Sequence, residues 1–100
     1  MEGHRTAELR SLAYHRAIAA RLADAPELVA AAQVRVASWT PEQLAPRWRA
    51  AWLGLLEGPL ESSLDAIVED SERMRDLRQV SPFAGALDAR ERWAIWRAVP

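Results

Sequence analysis

Five of the six prolines, at positions 26, 41, 46, 59 and 82, cut this 100-residue chain into pieces of helical length. The residue before a proline avoids the helical region, so each proline marks a boundary that a continuous helix cannot easily cross. Between these boundaries apolar residues recur at three- and four-residue spacing, and the alternation of a half-buried strand is absent. The sequence therefore predicts an all-α fold: a small bundle of about five helices with short connections, built as a single helical domain over 1–100.

The helices follow from local signals. The first is expected over about Thr6 to Ala23, with Leu9, Leu12, His15, Ala19, Leu22 and Ala23 on one face and Arg10, Tyr14 and Arg21 opposite. Asp24 and Glu27 have capping-box spacing, so Asp24 is the expected N-cap of a second helix reaching about Ser38. That helix carries Val29, Ala32, Val36 and Trp39 at core spacing. Thr40-Pro41-Glu42-Gln43 is a further start signal. Because Pro46 would remove a main-chain bond, two readings stay open. Either 40–45 is a separate turn and the third helix starts near Pro46, or one helix runs from Pro41 with Leu44 in line with Trp48, Trp52 and Leu55. Trp48 or Trp52 is the expected core anchor. Gly58-Pro59 opens a long fourth helix, about Pro59 to Gln79, with Leu60, Leu64, Ile67, Ser71 and Met74 on one face. Ser81-Pro82 stops it. Asp88, with Glu91 three residues later, caps a final helix bearing Trp93, Ile95, Trp96 and Val99.

Composition excludes much chemistry. There is no Cys, so disulfides and thiolate–metal sites are ruled out. No apolar run reaches the ~20 residues of a membrane span, and residues 1–10 lack a signal-peptide core, which makes the cytoplasm the default location. The two histidines do not suggest a catalytic centre. His15 lies among Leu12, Ala19 and Leu22, where a packed histidine bonded to a carbonyl is expected. No serine stands in a nucleophile-elbow turn, and neither a metal-ligand cluster nor a phosphate or dinucleotide loop is present. The expectation is a non-enzyme with no cofactor.

Charge is distributed unevenly. All 13 basic residues are Arg, and the net charge is −1. Residues 57–76 hold seven acids and two Arg, or −5, whereas 1–56 and 77–100 each come to +2. On a continuous fourth helix, Glu61, Asp65, Glu69, Glu72 and Asp76 would share a stripe about 80° wide. Such a run is ordinarily solvated surface; the functional alternative is docking onto a basic partner surface. Arg47 and Arg49 flank Trp48, and Arg73, Arg75 and Arg78 cluster late in that helix. The slightly negative net charge nevertheless argues against nucleic-acid binding. In the connection, Phe83 is expected either to pin the corner to the core, the favoured reading, or to project as an anchor. Trp93 and Trp96, flanked by Arg92 and Arg97, either close the bundle or form an exposed contact patch.

Two stretches, YHRAIAARL at 14–22 and LRQVSPFAGALDARERWAIWR at 77–97, together resemble a family of small helical proteins from GC-rich bacteria. Its members are antitoxins encoded beside toxin genes, sometimes fused to a helix-turn-helix. Residues 23–76 carry no part of the resemblance. It implies a protein partner, a toxin acting on nucleic acid or nucleotides and neutralised by direct binding. The alternative function is a DNA-binding regulator of helix-turn-helix type. The candidate partner-binding residues are then Glu61, Asp65, Glu69, Glu72, Asp76, Arg78, Phe83, Arg92, Trp93, Trp96 and Arg97. The chain is expected to be a monomer, or a homodimer through an apolar helix face.

Overall fold

In the computed structural model the chain is described over residues 2–100, with side chains from Arg5 onward. Six helices follow one another: α1 Glu2–Asp24, α2 Glu27–Ser38, α3 Pro46–Glu57, α4 Leu60–Ile67, α5 Glu72–Arg78 and α6 Ala89–Ala98. No strand occurs among the described residues. The all-α expectation holds, with one helix more than the sequence suggested.

Helix α1 is the spine. It packs against α4, α5 and α6 and touches α2, while α2 packs chiefly on α3. The radius of gyration, 13.3 Å, matches the roughly 13 Å of a folded chain of this length. Trp52 is the core anchor. It is fully buried, its indole Nε1 donates to the Leu77 carbonyl at 3.2 Å, and Leu22, Val36, Ile67 and Leu77 are fully buried with it. Trp48 is only half-buried.

Two boundaries differ from the sequence reading, and a third is decided between the two alternatives that the sequence left open. Helix α1 runs through Asp24, so that residue stays inside the helix; the N-cap of α2 is Pro26, with no side-chain capping bond. Residues 40–45 form a separate turn, and α3 begins at Pro46. Gln43 holds this turn, its side-chain oxygen accepting from the Thr40 N–H at 2.9 Å, and Leu44 is buried beneath it.

The second difference matters most. The long fourth helix is two helices, α4 and α5, separated at 68–71. Ser71 caps α5, its hydroxyl accepting from the Met74 N–H at 3.2 Å. Arg78 reaches back along α5 and donates to the Ile67 and Glu69 carbonyls at 3.2 and 2.9 Å. The carbonyls at a helix end have no partner within their own helix, and the guanidinium fills that vacancy for α4. The acidic stripe expected on one continuous face is therefore not formed. Glu61 and Asp65 stand on α4, Glu72 and Asp76 on α5 and Glu69 in the link, all of them exposed.

Candidate functional site: the 81–87 corner and the outer face of α6

The corner between α5 and α6 is a hub for side chains from three helices. From α1, His15 presents both ring nitrogens: Nδ1 lies 2.7 Å from the Ser11 carbonyl and Nε2 lies 2.9 Å from the Ser81 hydroxyl. A carbonyl only accepts, so Nδ1 carries the proton, and Nε2 accepts from Ser81. From α2, Arg35 donates to the Pro82 and Ala84 carbonyls at 3.0 and 2.7 Å. From α3, Trp52 meets the Phe83 ring edge-on, with centroids 5.6 Å apart and planes at 84°. Phe83 is buried and also meets His15 edge-on at 6.1 Å. Gly85 turns the chain with φ of 87°, a conformation that disfavours a side chain.

These contacts settle two of the candidate residues as core. Phe83 pins the corner inward, the favoured reading, and does not project as a partner anchor. Arg78 is likewise corrected: it is 4% exposed and closes the α4–α5 break, so it offers no surface to a partner. Burial pushes the Arg78 guanidinium below its ordinary value; Asp70 and Glu69 oppose the shift, and Arg75 and Arg16 add to it.

A cleft of about 250 Å³ opens over the corner, lined in part by His15, Ser81, Arg78 and Arg92. The Ser81–His15 pair has the spacing of a nucleophile and its base. Its chemistry, however, is that of a clamp. Desolvation lowers the His15 pKa to about 4 against the pull of the Ser11 carbonyl, with the Arg78 charge adding to the fall. A base with so low a pKa is poorly matched to neutral pH. The Ser81 hydroxyl also accepts from the Phe83 N–H at 3.4 Å, which ties it to its own turn. No group of three or more His, Cys, Asp or Glu side chains able to hold a metal occurs among the described residues. Among the described residues, no helix is long and apolar enough to cross a membrane.

Helix α6 begins as the sequence indicates. The Asp88 carboxylate accepts from the Glu91 N–H at 2.8 Å, and the Glu91 carboxylate accepts from the Asp88 N–H at 3.2 Å, a complete capping box. Glu91 also pairs with Arg21 of α1, and Arg21 donates to the Ala86 carbonyl at 3.4 Å. Ile95 is half-buried on the same side. The α1 face expected to meet solvent, bearing Arg10 and Arg21, is thus the face that receives α6.

The other side of α6 is less covered. Trp93 is 55% exposed and Trp96 41%, and their rings stack with centroids 5.0 Å apart and planes within 6°. The Arg10 guanidinium lies 4.0 Å from the Trp96 ring centre, and that of Arg97 lies 5.8 Å from the Trp93 ring centre. Arg90, Arg92 and Arg97 are exposed. Of the candidate residues, this arrangement brings together Trp93, Trp96 and Arg97, with Arg92 on the flank toward the cleft. It adds Arg10 and Arg90, which the sequence reading did not single out. Arg90 was legible, since it shares the Trp93 side of a helical wheel; Arg10 was not, because its placement depends on where α6 docks. Comparison of the chain with protein-family models, with curated proteins and with solved structures finds no match in any of the three.

Proposed function

We propose that this chain is a protein-binding module acting through the outer face of α6. Its specific role in this reading is that of the antitoxin of a bacterial toxin–antitoxin pair, holding a nucleic-acid- or nucleotide-acting toxin inactive by direct contact. The observation that carries the reading is the outward Trp93–Trp96 stack. An indole buries 150–250 Å² when covered, so leaving two half-open on one short helix forgoes apolar burial that a partner would supply. Tryptophan and arginine are also the side chains most enriched at energetic centres of interfaces. The antitoxin role rests on the resemblance over 14–22 and 77–97. Those two stretches touch one another through His15–Ser81 and Arg21–Glu91, so they would present a joint surface.

The test is co-expression with the product of the adjacent reading frame. If that product arrests growth, the wild-type chain is expected to relieve the arrest by forming a purifiable complex. The Trp93→Ala/Trp96→Ala variant should fold and fail to do so. Relief that survives this variant would overturn the reading. Tight, steeply salt-dependent binding to duplex DNA would instead favour the regulator alternative.

A further inference from the structure

On an ideal helical wheel Trp96, Trp93, Arg97 and Arg90 fall within an arc of about 120°, with Glu91 and Ile95 on the opposite side. The structure agrees: the first four are exposed, while Glu91 and Ile95 turn toward α1. Arg10 leans onto the same face from α1. None of Arg10, Arg90, Arg92 and Arg97 has a carboxylate partner among the described residues. Glu91, the one acid within α6, is engaged by Arg21 and by the capping box. The face is therefore an aromatic pair ringed by uncompensated guanidinium groups.

We infer that this face takes an acidic segment of a protein partner, with carboxylates on Arg10, Arg90 and Arg97 and apolar side chains against the indole edges. This deepens the protein-binding reading and rests on it. Two other occupants suit the geometry less well. Single-stranded nucleic acid binds aromatic platforms by stacking bases on open ring faces. Here Trp96 already carries Trp93 at 5.0 Å and the Arg10 guanidinium at 4.0 Å, which leaves its edge, more than its face, for a ligand. A second copy docked face to face would bring the same guanidinium groups against one another, and like charges across an interface oppose association. A carboxylate-bearing segment meets both demands, because guanidinium groups bind carboxylates through paired N–H donors and can stay stacked on an indole while doing so.

The experiment follows tryptophan fluorescence of the full chain titrated with poly-L-glutamate, with oligothymidylate and poly-L-lysine in parallel. Saturable binding of poly-L-glutamate that weakens with salt is expected, with no response to poly-L-lysine. Arg90→Glu/Arg97→Glu should lower the affinity by about tenfold or more while leaving thermal unfolding unchanged. Arg47→Glu, on α3, should change neither. Absence of poly-L-glutamate binding, indifference to the Arg90/Arg97 substitution, or tighter binding of oligothymidylate would each overturn the inference. So would concentration-dependent self-association in sedimentation that the Arg90→Glu/Arg97→Glu variant abolishes, since it would assign the face to a second copy. The two proposals fail separately. If poly-L-glutamate does not bind but relief of growth arrest still depends on Trp93 and Trp96, only the acidic chemistry falls. If relief is independent of both indoles, the docking reading falls.

Discussion

Residues 81–87 and 89–98 are adjacent in sequence, and both carry large aromatic side chains, yet they are opposite in burial. The corner places Phe83 between Trp52 and His15, and its backbone is held by Arg35 and Arg21. Helix α6 packs chiefly against α1 and leaves Trp93 and Trp96 half in solvent. The difference comes from the number of neighbours, because a residue type does not choose its own side. Three helices send side chains into the corner, so an aromatic ring there is enclosed. A helix that packs chiefly on one neighbour buries one stripe, and an aromatic outside that stripe stays open. A contact surface can therefore sit directly beside a rigid support.

The sharpest way to break this contrast is to truncate the corner's aromatic contacts. Trp52→Ala or Phe83→Ala should each destabilise the protein by about 3–5 kcal/mol, read by urea unfolding followed by far-UV circular dichroism. A total stability of roughly 5–15 kcal/mol leaves little margin after such a loss.

His15 gives a second handle on the corner, through pH. Its pKa falls to about 4 on folding, whereas an unfolded histidine titrates near 6.5. Between these values the unfolded chain holds the proton and the folded chain does not. The His15 contribution is thus complete above about pH 6.5, falls as pH drops toward 4, and amounts to roughly 3 kcal/mol over the whole window. His15→Asn should flatten that part of the pH profile. An unchanged profile would mean that the imidazole is not sealed in the corner.

The hinge between the two regions should give a smaller effect. Asp88→Ala removes one half of the capping box and is expected to cost about 1 kcal/mol, with the loss confined to α6 in amide hydrogen exchange. Destabilisation spreading to the corner would show that α6 and its support are one cooperative unit.

The sequence made parts of this contrast legible. Asp88 and Glu91 at capping-box spacing announced α6, Ser81-Pro82 announced the end of α5, and an isolated phenylalanine in a tight turn pointed inward. Trp52 could be narrowed to one of two candidates by the 3–4 spacing of α3. The break at 68–71 was hidden because Leu60, Leu64, Ile67, Ser71 and Met74 keep helical spacing straight through it. No Gly or Pro interrupts the run; the available signal was Ser71 as a cap, and the interaction that completes the break, Arg78 on the Ile67 and Glu69 carbonyls, is tertiary. The acidic stripe failed for the same reason, since its angular arithmetic assumed one helix. On α1 the wheel identified His15 and Leu22 as core but assigned Arg10 and Arg21 to solvent. The docking of α6 reverses that assignment, and a single-helix wheel has no knowledge of a neighbour 70 residues away.

The most direct test of the central claim, that α6 is an open face on a closed support, is the urea unfolding of Trp93→Ala/Trp96→Ala beside Trp52→Ala. Both indoles of α6 are about half open to water and cover part of each other, so removing the pair should cost less than Trp52→Ala alone and leave the far-UV spectrum intact, whereas Trp52→Ala loses about 3–5 kcal/mol. A double variant as destabilised as Trp52→Ala would make α6 part of the core and contradict the account.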